Sequence, residues 1–110
     1  MTFGSKSKSL AELNVAGHAD LLAGSHEFLR MWLQPDGPVT CLIDIEPLGT
    51  DPFVLGIALA DCVRHGAKAY AHVTGIPESE AEAQIWSGLD AERTSPTDLP
   101  TDLSDKGTLN

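Results

Sequence analysis

The chain has 110 residues, of which 42% are hydrophobic, and a formal net charge of −9 at neutral pH. This length limits it to one domain, and the excess of acids argues against a nucleic-acid partner, because Lys and Arg must neutralise phosphates. No apolar stretch approaches the ~20 residues that span a membrane. The polar opening residues do not resemble a signal peptide, so we expect a cytoplasmic protein.

Composition divides the chain into three parts. We predict a flexible or irregular N-terminal segment at residues 1–25, a single domain at residues 26–93 and a disordered acidic tail at residues 94–110. The tail contains a tandem PTDL repeat and too few apolar residues to offset chain entropy. A folding unit as small as the predicted domain buries only about 60% of its unfolded surface, so we expect it to self-associate.

Alternating apolar residues between positions 28 and 46 predict a β-hairpin. Pro35, Asp36 and Gly37 suit a three-residue loop with the glycine in a left-handed conformation. This loop sets apolar residues opposite one another three times, whereas a one-residue slip would set Leu33 against Thr40. The three expected pairs are Leu33 with Val39, Met31 with Cys41, and Leu29 with Ile43.

A long helix is predicted next, because Asp51 can cap its first turn and Pro52 suits the first helical position. The pattern continues to about Val73, and Gly75 is the expected C-terminal stop. One face of this helix is apolar, and we expect it to pack on the hairpin, with Gly66 allowing a close approach. That face consists of Leu55, Leu59, Cys62, Val63, Gly66, Tyr70 and Val73. Both cysteines lie at apolar positions, which predicts reduced core thiols.

A second, shorter helix is predicted at residues 78–93, with acids in the first turns, where the helix dipole favours them. A strip of small residues on the long helix would let another helix approach, either this one or a twin helix across a dimer. The strip consists of Gly56, Ala60, Ala67 and Ala71. The predicted fold class is therefore α+β: a β-hairpin packed on one long α-helix, with a second shorter helix and disordered termini.

Five polar side chains share the opposite face of the long helix: Asp61, Arg64, His65, Lys68 and His72. Cys62 is not among them, which argues against a Cys–His nucleophilic pair. His72 lies ~10 Å along the axis from His65, so one metal ion would also need His18 or His26. We interpret this polar arc as a solvent-exposed face. A small-ligand or metal-dependent activity that uses Asp61, His65 and His72 is the alternative.

Other catalytic patterns are missing from the sequence. It contains no Gly-rich phosphate loop, no GxSxG and no HExxH. The carboxylates at residues 78–82 begin an exposed helix and lack the buried environment that raises a pKa for general acid catalysis. We therefore predict no catalytic residue, no metal site and no cofactor, and an enzyme is the less favoured class.

The chain has more apolar surface than one hairpin and one helix can cover. This surplus predicts a non-enzymatic module that forms a homodimer or binds another protein. The candidate contacts are Phe28, Trp32, Leu42, Val54, Ile57 and Trp86. Residues 78–110 hold eight acids and two bases, so capture of a basic partner by this acidic region is a third possibility.

Three stretches carry a resemblance to a known family: LRMWLQPDGPVTCLID, DPFVLGIALADCVRHGAKAYA and IWSGLDAERTSPTD. In these stretches, which lie within residues 28–98, the chain resembles a short bacterial family of unknown function, DUF5076. The resemblance implies a small cytoplasmic protein. It implies no activity, cofactor or catalytic residue.

Overall fold

The computed structural model of the chain describes residues 11–97. A 3-10 turn and the short helix α1 are followed by strands β1 and β2, another 3-10 turn and the helices α2 and α3. The bounds are Ala16–His18 and Glu46–Leu48 for the turns, and Ala19–Leu22 (α1), Leu29–Leu33 (β1), Val39–Ile43 (β2), Pro52–Thr74 (α2) and Glu78–Thr94 (α3). The predicted α+β class, hairpin and two main helices are confirmed. Of the segment predicted to be flexible or irregular at residues 1–25, residues 16–22 form the first 3-10 turn and α1, and α3 extends one residue into the tail predicted at 94–110. The parts of both predictions at residues 1–10 and 98–110 lie outside the described residues.

The hairpin has the register that the apolar pattern predicts. Leu33 pairs with Val39, Met31 with Cys41 and Leu29 with Ile43. The Gln34 N–H donates to the Pro38 carbonyl at 3.2 Å, and the Gly37 N–H donates to the Gln34 carbonyl at 3.1 Å. Gly37 has a φ of +139°, a backbone conformation that glycine adopts without the steric cost of a Cβ. The three-residue loop is therefore confirmed.

Helix α2 begins and ends at the predicted signals. The Asp51 Oδ1 accepts a hydrogen bond from the Phe53 N–H at 3.0 Å, and Pro52 is the first helical residue. At the other end Gly75 is left-handed, with a φ of +84°, and its N–H donates to the Ala71 carbonyl. No helix among the described residues is long and apolar enough to cross a membrane.

Helix α2 packs mainly on α3, and the hairpin makes no contact of similar extent with either helix in the described part of the chain. A Cβ built at Gly66 would lie 3.4 Å from the Cδ1 of Ile85 on α3. The expectation that Gly66 admits a strand is therefore wrong, and the contact belongs to the second helix. The link of residues 75–77 is so short that α3 must fold back along α2.

The small-residue strip of α2 is buried where α3 covers it. Ala67 is completely buried, Ala60 and Ala71 are half-buried, and Ala81 on α3 is 2% exposed. Of the two partners considered for this strip, α3 of the same chain is the one that the structure provides. Small side chains let two helix backbones approach closely.

The predicted core face of α2 is only partly buried. Val63 is 8% exposed, but Tyr70 is 57% exposed and Val73 is 79% exposed. Cys62 is exposed and Cys41 is half-buried, with no disulfide between them. The prediction of a core position is therefore wrong for Leu59, which is 42% exposed, and for Cys62, Tyr70 and Val73, because α3 covers a neighbouring face of the helix instead.

Candidate functional site

The polar arc of α2 is exposed and held by short-range ion pairs. Asp61 lies 3.6 Å from the Arg64 guanidinium and 3.3 Å from the His65 Nε2. The Lys68 Nζ instead reaches Glu78 on α3 at 3.2 Å. Each of these side chains is about half or more exposed, and exposed pairs contribute typically less than about 1 kcal/mol. The arc has the geometry of a solvated face.

The arc does not assemble a metal site. Residues 11–97 contain no group of three or more His, Cys, Asp or Glu side chains that could hold a metal ion. Asp61 and His65 are adjacent, but His72 lies two turns further along α2, about 10 Å at 1.5 Å per residue. His18 and His26 do not complete a ligand set with them. The metal-dependent alternative therefore lacks its ligands in this part of the protein.

Arg30 on β1 joins the N-terminal segment to the hairpin. Its Nε lies 2.7 Å from the Glu27 carboxylate, and its Nη1 lies 2.8 Å from the Glu12 carboxylate. The hydrogen bond from Arg30 lowers the pKa of Glu27, and the same bond raises the pKa of Arg30. Sequence reasoning missed this pair because Glu12 precedes Arg30 by 18 residues in a segment without periodicity.

A cavity of about 570 Å³ opens between this N-terminal segment and β1. Leu13, Leu22 and Met31 contribute apolar walls, and Trp32 also lines it. Arg30 lies in the same wall, but both Glu12 and Glu27 already neutralise its charge. The cavity therefore offers apolar contact without a free guanidinium for an anionic ligand.

The hairpin presents one wholly apolar face. We call it the hairpin face: Leu29, Met31, Leu33, Val39, Cys41 and Ile43. These residues are paired directly across the two strands, so their side chains lie on one side of the sheet. Leu29 and Ile43 are half-buried, whereas Met31 is 59% exposed and Leu33 is 78% exposed. The uncovered part of the face therefore lies towards the turn.

The first turns of α2 carry a second exposed apolar surface. We call Phe53 and Ile57 the helix-start patch; they are one turn apart, on the same side of the helix, and 73% and 57% exposed. Helix α2 has 23 residues and α3 has 17. Because the short link aligns the end of α2 with the start of α3, the start of α2 extends beyond its partner. Phe53 was not among the predicted contacts.

The other predicted contacts are distributed over three parts of the fold. Phe28 and Leu42 line one groove of about 290 Å³ at the end of the hairpin away from the turn. Val54 is half-buried near the start of α2. Trp86 lies on α3, partly exposed, and its Nε1 donates to Glu82 at 3.3 Å. Their role as an interaction surface stays a prediction.

Among solved structures, one of similar fold covers nearly the same length of chain. It is described as a "putative pyruvate dehydrogenase" from Rhodopseudomonas palustrus CGA009, with a TM-score of 0.65 and 26% sequence identity. The alignment covers 89% of this chain and 98% of that one. The description concerns that protein, and a shared fold does not establish a shared activity.

Among curated proteins, none matches the chain. The sequence pattern of one family, described as a domain of unknown function (DUF5076), matches residues 12–97. The match includes the hairpin and both long helices. The chain therefore belongs to the DUF5076 family.

Proposed function

We propose that this chain is a non-enzymatic, self-associating module whose working form is a homodimer. One observation carries the proposal: the core of a single copy is very small. Among residues 11–97, only Val63, Ala67 and Ala81 are buried, so no side chain larger than valine lies in the interior. Sixteen large hydrophobic side chains are exposed over the same residues.

Such a small core provides little free energy for folding. Ordering the backbone costs about 1–2 kcal/mol per residue, whereas complete burial of a large aliphatic or aromatic side chain contributes about 1.5–3 kcal/mol. No aromatic or Leu, Ile or Met side chain in the described part of the chain is buried to that degree. A further apolar surface, supplied by association, would contribute the missing burial.

A second copy of the chain is the partner that fits these surfaces. Neither the hairpin face nor the helix-start patch contains a charged residue. A contact between these surfaces therefore places no acidic side chains opposite one another, despite the net charge of −9. Closed twofold dimers are also the commonest protein assembly. The proposal includes neither a membrane nor a nucleic-acid partner, since the acid excess opposes phosphate binding, and it keeps the cytoplasm as the location.

Sedimentation equilibrium on the full chain tests the proposal. We expect a species of twice the 11.7 kDa chain mass, and a thermal unfolding midpoint that rises with protein concentration, because association stabilises the folded form by mass action. High salt should leave the dimer intact, since an apolar contact is not screened. A monomer at every concentration, with a concentration-independent midpoint, overturns the proposal and favours binding to a different protein.

A further inference from the structure

We infer that in this homodimer the hairpin face of each copy packs on the helix-start patch of the other copy. The inference rests on the proposed homodimer and specifies its interface. It assigns one occupant, a second copy of the chain, to the exposed part of each of these two surfaces. The contact occurs twice, related by a twofold axis.

The exposures define the two surfaces. Along the hairpin face, exposure rises from the half-buried Leu29 to 59% at Met31 and 78% at Leu33. On α2, Phe53 and Ile57 are exposed because α3 does not reach the first turns. Met31 and Leu33 at the turn end of the hairpin face, and Phe53 and Ile57 on α2, are thus each more than half exposed, although Met31 also lines the cavity beside the N-terminal segment.

Their chemistry and size are complementary. An apolar sheet face is usually covered by a helix, which gives the two-layer arrangement of α+β domains. Strand positions 31 and 33 lie about 7 Å apart, and helix positions 53 and 57 lie about 6 Å apart along the axis. The tip of the hairpin and the first turns of the helix therefore match in length.

The border of the helix-start patch is polar. Asp61 follows Ile57 by one turn, and the exposed Arg64 and His65 follow it. An apolar centre with a charged rim is the usual anatomy of a protein interface. The polar arc thus marks where the contact ends on α2.

The two contacts are reciprocal, and together they form a closed dimer. In a twofold dimer each copy provides one sheet face and one helix patch, so two contacts form and both surfaces of each copy are occupied. Together they would remove five large side chains per copy from water: Met31, Leu33, Val39, Phe53 and Ile57. With their half-buried neighbours this amounts to on the order of 1,000 Å² in total, the area that a specific interface should at least reach.

Isotope-filtered NOE spectroscopy on the unmodified chain tests this arrangement. A sample that mixes ¹³C-labelled and unlabelled copies reports only contacts between chains. We expect intermolecular NOEs from the Leu33 and Met31 methyl groups to the Phe53 ring and the Ile57 methyl groups. A dimer whose intermolecular NOEs connect only hairpin with hairpin, or only helix with helix, overturns the inference and leaves the homodimer standing.

Substitutions provide an independent measurement. Leu33→Asp and Ile57→Asp should each weaken the dimer about tenfold or more, because a charge would enter the centre of the contact. Val73→Asp is the matched control, since Val73 is 79% exposed in the last turn of α2, outside both surfaces. Equal weakening by all three substitutions contradicts the inference. A monomeric unmodified chain contradicts the proposed function itself.

Discussion

Gly66 of α2 lies against Ile85 of α3: a Cβ added at position 66 would stand 3.4 Å from the Ile85 Cδ1. This is an ordinary van der Waals distance, and the neighbouring atom is the end of a flexible side chain. The two helices are therefore close at this point, yet they leave room for one methyl group. A larger side chain would displace Ile85.

Gly66→Ala should stabilise the protein by up to about 1 kcal/mol, because alanine favours the helix over glycine. Gly88→Ala on α3 is the matched control, since a Cβ there would meet no atom within 4 Å. Urea unfolding at one fixed protein concentration measures both. If the Gly66→Ala variant is less stable than the Gly88→Ala variant by more than about 1 kcal/mol, the contact with Ile85 does not accept a methyl group.

Ala67→Leu should destabilise the protein by about 1–3 kcal/mol, because Ala67 is fully buried and extra methylenes in a packed contact force the helices apart. Ala69→Leu places the same side chain at an exposed position two residues further along α2 and should change stability by less than about 0.5 kcal/mol. Equal effects of the two substitutions, in the same unfolding measurement, would argue against α3 covering Ala67.

Asp51→Ala should cost about 1 kcal/mol of unfolding free energy, because the Phe53 N–H loses its side-chain acceptor. Asp51→Ser keeps an acceptor oxygen at this position and should retain most of the stability. Helix content by circular dichroism and urea midpoints report the two variants. An alanine variant as stable as the serine variant would rule out a capping role.

Glu27 should titrate at a pKa below its ordinary value, because the Arg30 guanidinium donates to its carboxylate at 2.7 Å. Since the folded-state pKa is the lower one, the stabilisation from this pair is present above the unfolded pKa. It is lost as pH falls through the folded pKa. A carboxyl ¹³C titration by NMR measures the value directly.

Arg30→Ala should raise the pKa of Glu27 towards its ordinary value in that titration. Arg93→Ala is the control, because Arg93 pairs with Asp90 on α3 and should leave the Glu27 curve unchanged. An unchanged pKa of Glu27 in the Arg30→Ala variant would mean that a group other than Arg30 lowers it.

Cys62 should react with iodoacetamide before Cys41. Cys62 is exposed and Cys41 is half-buried, and burial raises the pKa of the Cys41 thiol, which reduces its reactive thiolate at neutral pH. Mass spectrometry of peptides after short exposure gives both rates within one protein, so each cysteine serves as the control for the other. Faster labelling of Cys41 would contradict the burial on the hairpin face.

Several features of the fold were predictable because they depend on residues close together in the chain. The Asp51 cap, the left-handed Gly75 and the hairpin register all follow from a few neighbouring residues. A one-residue slip would move every hairpin side chain to the wrong face, so the apolar pattern alone specifies the register. The Asp61–His65 pair is similarly local, one helical turn apart.

Contacts between distant segments were not predictable in this way. Glu12 reaches Arg30 across 18 residues, and no periodic pattern places the segment that contains Glu12. The hairpin face and the helix-start patch could be recognised as apolar, and a surplus of apolar surface was predicted, but the exposed fraction of each side chain was not predictable. Exposure depends on which element lies opposite, and a sequence pattern does not contain that information.

The sequence by itself determined the hairpin, the two long helices with their ends, and which of their faces are apolar, because backbone propensity, capping and side-chain periodicity are local. Only the tertiary structure decided that α2 packs on α3 instead of on the hairpin. Burial of apolar surface is non-directional, so any apolar face could have covered α2. The short link of residues 75–77 places α3 beside α2, and the turn end of the hairpin face and the helix-start patch remain exposed.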